Sequence, residues 1–175
     1  MITRLVVLAV AVLIAWGLKR HYADASADDL GWILSPTAQL VGAVADTSFV
    51  RQPGEGYLSR ERLFLIEKSC AGVNFMVAAF GMLTLALVHR AGSAASAARV
   101  LGVSLLGSYV AAVVVNAVRI AIAMWLATSP VALSTVSAAE VHRLEGIAVY
   151  FGGLVLLYEV ARRLDRRAAP IGRTP

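Results

Sequence analysis

The chain alternates long apolar runs with shorter polar segments. Four runs stand out, at residues 5–18, 70–88, 100–127 and 144–161. The second run, with a rise of about 1.5 Å per residue, forms a helix of roughly 28 Å, close to the thickness of the hydrocarbon core of a bilayer. The pattern predicts an all-α integral membrane protein, a single membrane domain built as a bundle of four transmembrane helices.

The first run has two interpretations. It follows a single arginine, and residues 23–25 (Ala-Asp-Ala) fit the small-x-small cleavage site of a signal peptide. The basic residues 19–21 lie between the run and that site, where a signal peptide does not normally carry them. This favours a retained membrane anchor, while cleavage of residues 1–25 stays open.

The longest stretch between runs, residues 20–69, is predicted to lie outside the hydrocarbon. Its apolar part at 30–49 is interrupted by three residues that suit a spanning helix poorly: Pro36, Gln39 and Asp46. An interfacial or re-entrant helix, with Trp32 at headgroup level, fits better than a span. The turn sequence at 53–56, between short apolar segments, indicates a hairpin.

Composition and charge support a membrane protein. The sequence is 59% hydrophobic and 15% charged, so it has too few polar residues to cover the surface of a soluble globular protein. The net charge of +5 comes largely from arginines that flank the runs, which is typical of cytoplasmic loops and argues against a nucleic-acid partner. The basic tail at 162–175 predicts cytoplasmic termini, with 20–69 and 128–143 on the outer side, although Lys19 and Arg20 oppose this orientation.

The sequence contains one cysteine and three histidines. A single cysteine excludes an intrachain disulfide and a Cys-x-x-Cys redox pair. The histidines and the cysteine form no cluster with metal-ligand spacing, so neither a metal site nor another cofactor is expected.

Three polar residues at the apolar runs carry the candidate chemistry. Cys70 begins the second run, Arg119 lies inside the third, and His142 shortly precedes the fourth. The predicted topology brings all three to the outer face, with Arg119 about 12 Å below the outer end of its helix. An arginine in an apolar run costs about 2.5–3.5 kcal/mol on insertion scales, so a functional or paired role is its default interpretation.

This combination predicts nucleophilic acyl transfer. The positive potential of a helix N-terminus favours the Cys70 thiolate, His142 serves as acid and base, and Arg119 stabilises the tetrahedral oxyanion. Each residue also has a structural interpretation, because most isolated cysteines in membrane helices are inert packing residues and most boundary histidines are solvated.

Supporting groups recur at helical spacing beside these residues. Asn74 is four residues after Cys70, and Asn116 is three before Arg119. Glu145, three residues after His142, either orients the imidazole or caps the helix.

The blocks that carry this chemistry resemble the exosortase/archaeosortase family of integral-membrane cysteine transpeptidases. The resemblance covers about residues 30–160. It rests on residues 69–75 (Ser-Cys-Ala-Gly-Val-Asn-Phe), residues 116–120 (Asn-Ala-Val-Arg-Ile), and His142 followed by Gly146. The segments 34–38 and 53–57 are also similar to the family's pre-catalytic region. It implies that Cys70 is the nucleophile and that Arg119 and His142 are its catalytic partners.

The same resemblance implies substrates and a location. Such enzymes cleave carboxyl-terminal sorting tails outside the cytoplasmic membrane of a prokaryote and transfer the protein to a surface acceptor. Each tail consists of a short motif, a transmembrane helix and a basic cluster. At 175 residues the chain is much shorter than common exosortases and looks like a compact, exosortase K-like form. Small residues at 102, 107 and 108 are the expected docking surface for the substrate helix.

Two other functions stay open on the sequence alone. One is a non-catalytic membrane subunit, in which Arg119 pairs structurally with an acid or with a partner protein. The other is a lipid- or glycan-handling acyltransferase that uses the same Cys70 thiol.

Overall fold

The structure, a computed structural model, describes residues 1–128 and 138–167, except the side chains of residues 128, 138, 139, 141 and 142. Four helical segments within this part are long and apolar enough to cross a membrane: Ile2–Asp24, Lys68–Arg90, Ala94–Ala127 and Arg143–Arg167. The described fold is mostly helical, as the apolar runs predicted. Its α-helices are α1 (Ile2–Asp24), α2 (Gly31–Ala45), α3 (Val73–Leu87), α4 (Ala94–Thr128) and α5 (Ala138–Arg167).

The helices α1, α4 and α5 extend beyond the apolar runs that predicted them. α1 continues to Asp24, α4 begins at Ala94, and α5 includes both the polar residues before 144 and the basic residues up to Arg167. Backbone hydrogen bonds within a helix do not depend on side-chain polarity, so a helix continues past the hydrocarbon layer. An apolar run therefore locates a span but not the ends of its helix.

Three helix ends meet at one end of the bundle. Arg4, at the start of α1, donates a hydrogen bond of 2.9 Å from Nη2 to the carbonyl of His89. Arg90, just after α3, forms an ion pair of 2.5 Å with Asp165 near the end of α5. The beginning of α1 and the ends of α3 and α5 are therefore neighbours, as the predicted up-and-down topology requires.

The segment between α1 and α3 contains α2 and a small antiparallel sheet. Strands β1 (Val50–Gln52), β2 (Gly56–Ser59) and β3 (Phe64–Ile66) pair in the order β1–β2–β3. The predicted hairpin is thus one half of a three-stranded meander, so the fold is not purely helical. α2 has 15 residues, about 22 Å of helix, which is shorter than the hydrocarbon core.

α2 and Ile66 of β3 share one hydrophobic core with the first half of α3 and the second half of α4. Near the middle of α4, the Tyr109 hydroxyl donates a 2.9 Å hydrogen bond to the carbonyl of Trp32, and the two rings stack with centroids 6.0 Å apart. At 35 residues α4 is roughly 52 Å long, well beyond the hydrocarbon thickness of about 30 Å. α4 therefore supports α2 from its middle into its second half.

A carboxylate ties the loop before α2 to the sheet. Asp28 accepts hydrogen bonds from Arg51 Nη2 at 2.9 Å and from the backbone amide of Gly54 at 2.9 Å. The hydrogen bond from Arg51 is the main cause that lowers the pKa of Asp28 below its ordinary value of 3.8. The link therefore stabilises the fold above that ordinary value and is lost as the pH falls through the lowered pKa.

Candidate functional site

Cys70 lies in a single 3-10 turn, Lys68–Cys70, that precedes α3. Its amide donates a 2.9 Å hydrogen bond to the carbonyl of Glu67, and its half-buried sulfur lies 3.8 Å from Ser69 Oγ. Cys70 lies near the start of the apolar helical segment Lys68–Arg90, as predicted, but not within α3 itself. Gly72, with φ +68°, interrupts the helical geometry, and α3 begins only at Val73.

The turn that carries Cys70 is held from α4. Asn116, which is completely buried, donates a hydrogen bond from Nδ2 to the carbonyl oxygen of Cys70. A Cβ atom on Gly72 would lie 3.1 Å from the side-chain carbon of Asn116. Glycine at position 72 therefore provides both the left-handed backbone and the space for the amide.

Arg119 lies one turn beyond Asn116 on α4 and faces α5. Its Nη1 donates a 3.4 Å hydrogen bond to the Tyr150 hydroxyl, and its guanidinium carbon lies 5.3 Å from the centroid of that ring. The Tyr150 hydroxyl in turn donates a 2.8 Å hydrogen bond to Asn116 Oδ1. The structure thus connects the Cys70 turn, Asn116 and Arg119 through Tyr150.

Sequence reasoning missed Tyr150 and the role of Gly146 in the site. A Cβ atom on Gly146 would lie 3.0 Å from Arg119 Nε, so glycine allows α5 to approach the guanidinium closely. The sequence did contain a signal for these two residues, namely their spacing from His142. Residues 142, 146 and 150 recur every four positions and share one face of α5.

The predicted supporting residues have different surroundings from those the spacing suggested. Asn74 is exposed and accepts a 2.6 Å hydrogen bond from Lys19 Nζ of α1. Its four-residue spacing from Cys70 does not place it on a shared helical face, because the left-handed Gly72 lies between them. Glu145 is half-buried in α5, and whether it orients His142 stays a prediction.

His142 belongs by its backbone to the beginning of α5. It lies one helical turn before Gly146, on the face of α5 that approaches Arg119. Its side chain is outside the part of the chain that the structure describes. The acid and base role of His142 therefore stays a prediction.

A cleft of about 400 Å³ lies between the end of α1, the start of α3 and α5. The described residues that line it include Ser69 and Gly72, on either side of Cys70, but not Cys70 itself. Two guanidinium groups, those of Arg119 and Arg143, also line the cleft. Such a site favours a thiolate and the oxyanion that forms when a thiolate attacks a carbonyl.

The described residues include no group of three or more His, Cys, Asp or Glu side chains that could hold a metal ion. The chemistry that the site offers is that of a thiol, a guanidinium, an amide and a phenol.

The small residues expected to dock a substrate helix do not share one surface. Gly107 faces α3, where an added Cβ would lie 3.2 Å from Leu83, and Ser108 is buried with its hydroxyl donating to the carbonyl of Leu105. Only Gly102 lines an open apolar groove, next to Trp32. Ser108 therefore packs within the bundle and Gly107 lies partly against α3, while the docking of a substrate helix stays a prediction.

Gly72→Ala is expected to lower the free energy of unfolding by roughly 1–3 kcal/mol. The left-handed backbone disfavours a Cβ by about 1–2 kcal/mol, and the new methyl group crowds Asn116. Thermal unfolding in detergent, followed by far-ultraviolet circular dichroism, measures the loss. Gly81→Ala is the matched control, because a Cβ there meets no atom within 4 Å, and it should leave stability unchanged or slightly higher. Equal stability of the two variants would contradict the packing of Asn116 on Gly72.

Gly146→Ala is expected to reduce the acyl-transfer activity predicted from the sequence roughly tenfold or more while leaving the unfolding temperature nearly unchanged. The added methyl displaces the flexible side chain of Arg119, the predicted oxyanion stabiliser, by a few tenths of an ångström, and small displacements of a catalytic group are costly. Gly152→Ala, six residues later on α5 and open to space, should keep full turnover. Wild-type turnover in Gly146→Ala would show that the position of Arg119 is not critical.

Comparison of the chain with protein-family models, with curated proteins and with solved structures gives no match.

Proposed function

We propose that the chain is an exosortase-like membrane cysteine peptidase and transpeptidase. The observation that carries the proposal is the hydrogen-bonded connection from the Cys70 turn through Asn116 and Tyr150 to Arg119. It links the backbone of the proposed nucleophile to a cation 49 positions away in the sequence, beside a cleft that two arginines line. The network holds the backbone of Cys70, and a fixed backbone sets the position from which a thiol attacks.

The proposed reaction proceeds through a thioester. The Cys70 thiolate attacks the scissile carbonyl, and the guanidinium of Arg119 stabilises the tetrahedral oxyanion. As the intermediate collapses, the carbon–nitrogen bond breaks and His142 protonates the leaving amine. An acceptor nucleophile, which gives up its proton to the neutral His142, then attacks the thioester and releases the Cys70 thiolate. No metal or organic cofactor enters these steps.

The proposed orientation puts the site on the outer face of a prokaryotic cytoplasmic membrane. The opposite end of the bundle carries Arg4, Arg90 and the basic end of α5, which the positive-inside rule assigns to the cytoplasm. A substrate tail with a motif, a membrane helix and a basic cluster fits this arrangement. Its basic cluster stays inside, its helix spans the membrane, and its motif reaches the cleft.

The proposal is tested on the membrane proteins of the source cells. Carboxyl-terminal peptides are measured by mass spectrometry in cells with the intact gene and in cells that lack it. The proposal predicts proteins that lose a terminal membrane helix and arginine cluster only when the gene is present. Identical carboxyl termini in the two cell types would refute tail processing.

A further inference from the structure

We propose that Tyr150 is a positioning residue that couples Arg119 to the backbone of Cys70. This inference deepens the proposed function and rests on it for the catalytic role of Cys70. The hydrogen bonds themselves form a chain of three links across three elements of the fold. They join α5 to α4 at Asn116 and Arg119, and α4 to the turn before α3 at Cys70.

The direction of each hydrogen bond in this chain is fixed by chemistry. The Cys70 carbonyl can only accept, so the Asn116 amide must direct its NH2 group toward it. The Asn116 oxygen then faces Tyr150 and needs a donor, which uses the single hydroxyl proton of the tyrosine. The hydroxyl oxygen keeps lone pairs, which suit the arginine N–H groups. Each group therefore has one role, as donor or acceptor, at each of its hydrogen bonds in this series.

The ring of Tyr150 is held independently of its hydroxyl. Phe75 of α3 packs against the ring with centroids 5.3 Å apart. The guanidinium carbon of Arg119 also lies 5.3 Å from the centroid of the Tyr150 ring. Phenylalanine at position 150 keeps both ring contacts and loses only the hydrogen bonds. The buried Asn116 oxygen then lacks this donor, and the amide is held only by its hydrogen bond to the Cys70 carbonyl.

The test compares Tyr150→Phe with Tyr158→Phe, a tyrosine on the same helix that is 43% exposed. Turnover per titrated Cys70 thiol is expected to fall about 10- to 100-fold in Tyr150→Phe with little change in KM, and to stay at the wild-type value in Tyr158→Phe. In an Asn116→Ala background the effect of Tyr150→Phe should largely disappear, because the coupling acts through that amide. Equal turnover in Tyr150→Phe and Tyr158→Phe, or full additivity with Asn116→Ala, overturns the proposal.

A second measurement does not depend on peptidase activity. Cys70 is the only cysteine, so iodoacetamide reports on this site alone. Loosening the turn exposes the half-buried sulfur, and the alkylation rate at fixed pH is expected to rise at least about threefold in Tyr150→Phe but not in Tyr158→Phe. A changed rate in a chain that processes no peptide would refute the proposed function and leave the coupling intact.

Asn116→Leu provides a variant at the other end of the same hydrogen-bonded series. Leucine has a similar size but can neither donate to the Cys70 carbonyl nor accept from the Tyr150 hydroxyl, and it adds no charge beside the thiol. The alkylation rate should therefore again rise, and this result tests the coupling if Tyr150→Phe does not fold. An alkylation rate equal to that of the wild type in Asn116→Leu overturns the coupling.

Discussion

Cys70→Ala is expected to reduce tail cleavage to the background, a loss of roughly 10⁴- to 10⁶-fold. Alanine removes the sulfur that forms the thioester, and the chain has no second thiol to replace it. The substitution is small and the site is half-buried, so the fold should survive. Cleavage is measured on a tail-bearing substrate in detergent or liposomes, with circular dichroism as the check on folding.

Ser48→Ala is the control for this substitution. Ser48 is an exposed residue between α2 and β1, and it belongs neither to the described lining of the cleft nor to the Cys70–Asn116–Tyr150–Arg119 network. Turnover in this variant should stay within a few fold of the wild type. If tail processing persisted in Cys70→Ala, the enzyme hypothesis would be wrong and a non-catalytic membrane subunit would be the better account.

Arg119→Lys is expected to lower kcat about 10²- to 10³-fold, the cost typical of losing an oxyanion donor. Lysine keeps the positive charge but lacks the planar fork that lets one guanidinium contact Tyr150 and still donate to an oxyanion. The loss should appear in kcat more than in KM, because the oxyanion exists only in the transition state and the intermediate.

Arg99→Lys is the control for the arginine substitution. Arg99 is an exposed residue near the other end of α4, so the same chemical change there should not affect turnover. Turnover near the wild-type value in Arg119→Lys would show that Arg119 acts only through its positive charge. It would also remove the main reason for linking the Tyr150 network to catalysis.

The membrane fold was predictable because the bilayer imposes a long, simple pattern. Runs such as 70–88 and 100–127 need no knowledge of neighbouring helices to be recognised as spans. The segment between α1 and α3 was harder. α2 contains Pro36, and its buried residues, such as Ile33 and Val41, lie in a core shared with α3 and α4, so its pattern reflects tertiary contacts that the sequence does not reveal.

The candidate site was predictable in its reactive residues but not in their support. Cys70 and Arg119 stand out because each is chemically unusual in an apolar context. Tyr150 and Gly146 do not stand out, since tyrosine and glycine are common in membrane helices. Their roles depend on the close approach of α5 to α4, which becomes visible only when the helices are packed.

The most direct measurement is the mass of the intact chain after it has been mixed with a tail-bearing substrate and quenched in acid. The account predicts an added mass equal to the substrate portion that precedes the scissile bond, attached at Cys70 and absent from Cys70→Ala. An adduct with the mass of a lipid acyl group would instead support an acyltransferase. An unmodified chain under conditions in which the substrate is cleaved would contradict covalent catalysis by Cys70.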